Sequence, residues 1–107
     1  MTDKIVLFTT VASPEEADRL ARALVDRRLA ACVTILPQAR SVYRWQGRVE
    51  ESTELLLLIK SRRPLFAALS EAVRALHSYE IPELIALPVV DGNPPYLDWI
   101  DHETEVL

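Results

Sequence analysis

Apolar positions follow two different periods along this chain, and each change of period marks an element boundary. Residues 4–11, Lys-Ile-Val-Leu-Phe-Thr-Thr-Val, form a β-branched and apolar run without helical spacing, which predicts a buried strand. Ser13-Pro14-Glu15-Glu16 then makes a helix start: Ser13 can cap, Pro14 suits the first helical position, and Glu16 can complete a capping box. Ala17, Leu20, Ala21 and Leu24 recur at helical spacing, with Arg19, Arg22 and Asp26 elsewhere, and the helix is expected to end near Arg28 or Leu29. Residues 31–45 read as extended, interrupted once by Pro37. Gln46-Gly47 predicts a two-residue hairpin turn, and residues 49–60 the returning strand. Within that strand Leu55, Leu56, Leu57, Leu58 and Ile59 are continuously apolar, as expected where both faces of a sheet are covered. Pro64 opens a second helix with Phe66, Leu69, Val73 and Leu76 on one face, ended by His77-Ser78-Tyr79. Residues 84–90 predict a fourth strand, and residues 95–102 a short final helix.

The order β-α-β-β-α-β with a helical tail is the ferredoxin-like α+β arrangement, an antiparallel sheet covered on one face by two helices. A chain of 107 residues has room for one domain, spanning 1–107. Its hairpin is long for that size. Residues 31–45, at roughly 3.3 Å each, would span about 50 Å if straight, against a radius of gyration of about 13 Å for a 100-residue domain. The hairpin must therefore bend at Pro37, project from the body, or both. The two-residue turn sets Tyr43 opposite Glu50 and Trp45 opposite Arg48, so Ser41, Tyr43 and Trp45 share one face. An isolated ribbon is marginal in water, and a neighbouring subunit is its simplest support.

Composition removes several functional classes. Only two glycines are present, which excludes a glycine-rich phosphate loop. Twelve basic against sixteen acidic residues give a net charge of −4, without the basic footprint of a nucleic-acid binder. The first apolar run, Ile5 to Phe8, is too short for a signal peptide or a membrane helix, so a cytoplasmic protein with no membrane partner is expected. Cys32 is the one cysteine, which excludes a disulfide framework and a cysteine-based zinc cluster. It reads as a small buried thiol with nothing cationic nearby. Glu15 and Glu16 in the first helical turn would repel phosphate, and no serine–histidine–acid motif is arranged, so no enzyme activity is expected.

Two groups of residues remain as site candidates. His77, with Tyr79, Glu80 and Glu83 close in sequence, could ligate a metal, because neutral imidazole suits copper and zinc. The simpler reading is a helix-terminal histidine interacting with the last carbonyls and the negative end of the helix dipole. Tyr43, Trp45, Lys60, Tyr79, Glu83 and Trp99 could line a cleft between subunits, and these types are also enriched in assembly interfaces. His102 with Asp98, Asp101, Glu103 and Glu105 forms an acidic tail that could hold a hard cation or simply be solvated.

Several strings in order resemble the CutA family over nearly the whole chain. They are Leu29-Ala30-Ala31-Cys32-Val33, Ser41-Val42-Tyr43-Arg44-Trp45-Gln46-Gly47, Ile59-Lys60-Ser61, His77-Ser78-Tyr79-Glu80-Ile81-Pro82-Glu83, Leu87-Pro88-Val89 and Tyr96-Leu97-Asp98-Trp99-Ile100. The resemblance implies a homotrimer related in architecture to the PII signalling proteins, and a divalent-cation tolerance role. It implies no required cofactor, with a divalent metal ion such as copper as a candidate ligand. A PII-like sensor binding a small molecule or partner in the inter-subunit cleft is the alternative. Two departures matter: His-Pro-Tyr of many relatives is His77-Ser78-Tyr79 here, which removes one rigid turn constraint, and a His-His pair and early cysteine linked to copper in some members correspond to Leu76-His77 and Phe8.

Overall fold

The computed structural model describes residues 2–105. Strand β1 (Lys4–Val11) leads into helix α1 (Pro14–Asp26), then β2 (Cys32–Trp45) and β3 (Arg48–Arg62) form the hairpin. A 3-10 turn (Arg63–Leu65) runs into α2 (Phe66–Leu76), followed by β4 (Ile85–Pro88) and α3 (Pro94–Glu103). The strands form one antiparallel sheet in the order β2-β3-β1-β4. This is the expected ferredoxin-like topology.

Register explains the core. Ile5, Leu7, Thr9 and Val11 stand opposite Ser61, Ile59, Leu57 and Leu55 on the face that α1 and α2 cover. Leu7, Leu57 and Ile59 are fully buried, with Leu20 and Leu24 of α1 and Leu69 and Val73 of α2 packed among them. Each such side chain contributes about 1.5–3 kcal/mol of transfer free energy. The apolar stripe of the second helix differs from expectation. Leu65, at the end of the 3-10 turn, is fully buried, while Phe66 is 37 % exposed. Pro64 starts the helical winding as a tighter 3-10 turn. This phases Leu65, not Phe66, with Leu69 and the Ala72/Val73 pair.

Among the described residues, the opposite face has no helical layer over its middle. Leu56 and Leu58 are only partly buried, as are Val6 and Phe8, while Leu36, Ile85 and Leu87 are exposed. The continuous apolar run in β3 is therefore covered on one side alone within the subunit. At one end α3 docks, with Ile100 buried and Asp101 bonded to Lys4 at 3.1 Å. Arg62 donates to Thr104 Oγ1 at 2.8 Å.

Two boundaries are shorter than expected. The first helix stops at Asp26, because Arg28 takes a left-handed conformation (φ 59°) and Leu29 N–H returns to Leu24 O. The fourth strand is only Ile85–Pro88, an edge strand closed by a proline that cannot donate to a ladder. The hairpin both bends and projects: it carries a bulge between Leu36 and Ala39 and stretches the subunit to 44 × 25 × 23 Å. Its turn is as predicted, with Gln46 at φ 50° and Gly47 at φ 81°, the two left-handed positions that match strand twist.

Candidate functional site

The bulge decides what the hairpin presents. Before it, Leu36 pairs with Leu56. After it, Ala39 pairs with Glu54, so two residues on β2, Pro37 and Gln38, face one on β3. One extra residue reverses the alternation of β2. Ser41, Tyr43 and Trp45 thereby join Glu54, Leu56 and Leu58 on the face without helices. With no bulge, Arg40, Val42 and Arg44 would stand there.

The segment after α2 is folded under this ribbon by a buried polar knot. His77 has a fully buried side chain. Its Nδ1 accepts the Tyr79 N–H (3.1 Å), and its Nε2–H donates to Thr10 O (2.7 Å), a pattern that specifies the neutral Nε2–H tautomer. The bond goes across to β1 and not to the last carbonyls of its own helix. Glu16 also departs from expectation. Ser13 Oγ does accept from Glu16 N–H, at 3.2 Å, but the Glu16 carboxylate does not complete a capping box with Ser13. It accepts instead from Ser78 N–H at 2.9 Å and Ser78 Oγ–H at 2.8 Å, and lies 3.4 Å from His77 Nδ1. Burial alone would raise the Glu16 pKa. The two Ser78 bonds, with help from the Ala12 amide, reverse that and lower it.

Anchored in this way, residues 79–83 form the floor of a cleft of about 680 Å³ beneath Tyr43 and Trp45. Tyr79 O–H donates to Glu54 Oε2 at 2.7 Å. Burial, this bond and the neighbouring Glu16 and Tyr43 raise the phenol far above its ordinary range, so it acts only as a neutral donor. Glu83 is also raised, first by burial and then by the Glu54 charge. Of the six residues expected to share a cleft, Tyr43, Trp45, Tyr79 and Glu83 converge here, joined by Glu54. The sequence reading missed Glu54. Its one signal was a charged residue abutting the apolar run of β3.

Lys60 and Trp99 lie elsewhere in the subunit. Lys60 points onto the uncovered sheet face, where Nζ donates to Thr34 Oγ1 (2.6 Å) and sits 3.8 Å from Cys32 Sγ. The expectation that nothing cationic approaches Cys32 is thus corrected: cross-strand pairing of Cys32 with Lys60 brings the ammonium to the thiol. Trp99 stacks on Tyr96 of α3, with ring centroids 5.6 Å apart.

The family profile described as CutA1 divalent ion tolerance protein matches residues 5–103. The chain belongs to the CutA1 family. It is 52 % identical to the divalent-cation tolerance protein CutA of Thermus thermophilus, over 92 % of this chain and 96 % of that one. It is 50 % identical to the Protein CutA of Mus musculus over 92 % of this chain, which spans only 55 % of that relative. A solved structure of the divalent cation tolerance protein Cut A1 from Thermus thermophilus superposes with a TM-score of 0.93 at 51 % identity, covering 95 % of this chain and 99 % of that one. Two CutA relatives, from rice and Arabidopsis, are described as chloroplastic. No helix among the described residues is long and apolar enough to cross a membrane.

Within this CutA1 subunit the donors for a soft metal do not converge. Both ring nitrogens of His77 are engaged, so a metal would have to displace Tyr79 N–H or Thr10 O. No three His, Cys, Asp or Glu side chains among the described residues are grouped to hold an ion. That includes the acidic tail, where Asp101 is taken by Lys4. Phe8 lies on the uncovered face beside Leu58, so it offers no ligand there.

Proposed function

We propose that this chain is the subunit of a homotrimeric, non-enzymatic, cytoplasmic divalent-cation tolerance protein. One observation carries the assembly: among the described residues, the sheet face bearing Val6, Phe8, Leu36, Leu56, Leu58, Ile85 and Leu87 has no helical layer over its middle. A contiguous apolar face of this kind is buried against protein in a stable fold. Copies packed through it cover β3 on its second side, and the projecting hairpin reaches a neighbour. Multi-angle light scattering at low micromolar concentration is expected to give three subunits. A stable, folded monomer would overturn the assembly.

The role is one of binding. Divalent-ion contact is proposed to be weak, because His77 is committed to Thr10 and Tyr79 and a single imidazole with carboxylates is a poor copper set. Titration of copper or zinc into wild type and His77→Ala is expected to give micromolar isotherms at most. Nanomolar binding lost in His77→Ala would show that the ring is released for metal in the assembled protein. Expression in a bacterial strain lacking its own family member is expected to change growth on elevated divalent cations. Unchanged growth would reject the tolerance role. Generic esters and acyl phosphates are expected to remain intact with the purified protein.

A further inference from the structure

The connection between β4 and α3 turns on one glycine. A Cβ on Gly92 would come within 3.1 Å of Leu97 Cδ2, so the packing of Leu97 against the chain requires a residue without a side chain there. Gly92 follows Asp91, and both are exposed and outside any helix or strand. Gly92 N–H donates to Asp91 Oδ1 at 2.9 Å and, among the described residues, to no backbone carbonyl. The Gly92 amide and the Asp91 carboxyl group are thus turned towards each other, with no Cβ on Gly92 to shield the nitrogen.

We propose that Asp91 is a site of spontaneous covalent modification, isomerising to isoaspartate through a cyclic imide with Gly92. The Gly92 nitrogen bonds to Cγ of the neutral carboxylic acid. The amide gives its proton to solvent, the bond from Cγ to the hydroxyl breaks, and the hydroxyl leaves with a proton as water. Water then adds to either imide carbonyl. Addition at Cγ breaks the new Cγ–N bond and restores aspartate. Addition at the α-carbonyl breaks the original C–N bond and leaves the chain running through Cγ. One water leaves, one enters, and nothing is oxidised or reduced. Because the reacting groups are neighbours already held together, ring closure is a first-order step.

The other aspartates lack this arrangement. Asp18 and Asp26 lie in α1, and Asp98 and Asp101 in α3, where helical bonding fixes the following amide. Asp3 precedes Lys4, whose N–H donates to Thr2 Oγ1 at 3.1 Å.

The new linkage adds a backbone methylene between two points that are both held. Val89 N–H donates to Lys4 O, and Val89 O accepts from Thr2, while Asn93 O accepts the Tyr96 and Leu97 amides that open α3. Isoaspartate therefore displaces Gly92 from Leu97 or loosens the α3 dock, where Ile100 is buried. The inference goes beyond the tolerance reading and does not depend on it.

The test is to hold the purified full chain for several weeks in warm, neutral buffer made with heavy-oxygen water. It is then digested in ordinary water, and the peptides are fragmented by electron transfer. Asp91 is expected to take up heavy oxygen and to yield an isoaspartyl fraction, with labelling of every other aspartate at least about tenfold lower. Asp91→Glu would have to close a six-membered ring and is expected to lower labelling at this position at least about tenfold. Asp91→Asn expels ammonia in place of water and is expected to label at least about tenfold faster. The isoaspartyl fraction, separated by anion exchange, is expected to melt below the unaged protein. An unlabelled Asp91, labelling that survives Asp91→Glu, or equal labelling at another aspartate would each overturn the proposal. An Asp91→Asn chain no faster than wild type would show that the fold keeps the amide from the carboxyl carbon, and would overturn it too. Unchanged melting of the isoaspartyl fraction would overturn the coupling to α3.

Discussion

Ser78→Ala probes the knot beneath the cleft with a single atom. The substitution deletes the hydroxyl that donates to Glu16 Oε1 at 2.8 Å and leaves the Ser78 N–H bond to Oε2 in place. The Glu16 side chain is 6 % exposed, so water cannot readily replace the lost donor. A hydrogen bond to a charged group contributes about 1.5–3 kcal/mol, and the surviving partners of Glu16 place this loss near the lower end, about 1.5 kcal/mol. Guanidinium denaturation at fixed protein concentration should show it as a midpoint lowered by about 0.5 M, for a slope of about 3 kcal/mol/M. The pH dependence has a defined sign. The folded pKa of Glu16 lies below its ordinary 4.5, so the carboxylate's contribution is complete above that value and fades as pH falls through the lowered one. Ser78→Ala raises the folded pKa towards 4.5, so the stability gap between the two proteins should shrink in that acidic window. A gap below about 0.3 kcal/mol at pH 7, or one constant throughout the acid range, would refute the assignment of Ser78 as a donor to ionised Glu16.

Leu57→Ala empties a fully buried position between the helices and should cost about 2–5 kcal/mol, read by the same denaturation; under about 1 kcal/mol would mean the site collapses freely. Gln46→Asn places a residue tolerant of left-handed φ at the first turn position and should stabilise the hairpin by a few tenths of a kcal/mol, detectable as slower amide exchange in residues 43–50. Deleting Gln38 removes the bulge's extra residue and restores a regular ladder, with Pro37 opposite Leu55 and Ala39 still opposite Glu54, so Tyr43 and Trp45 should keep their face. Tryptophan emission should then stay close to that of the wild type; a marked shift would show that the register beyond the bulge is set elsewhere.

Local signals wrote most of the fold into the chain. The strand at residues 4–11, the Ser13 cap with Pro14 behind it, the Gln46-Gly47 turn and the pairings of Tyr43 with Glu50 and Trp45 with Arg48 all stand as read, because each rests on neighbours a few residues apart. The strings that resemble CutA were also legible without coordinates. What escaped the sequence depends on contacts between distant segments. Glu16 had a plausible local partner in Ser13, but folding brought Ser78 N–H and O–H together, and two donors to a buried carboxylate outweigh one at the cap. His77 had the chemistry of a ligand until Thr10 and Tyr79 occupied both its nitrogens. Lys60 and Trp99 looked like companions of Tyr43, yet Lys60 pairs with Cys32 at the far end of the hairpin and the α3 dock sent Trp99 elsewhere. Pro37 announced a bend, but only the pairing of β2 with β3 shows that the bend adds one residue. A strand has period two, so that single residue chose which half of the hairpin faces the cleft.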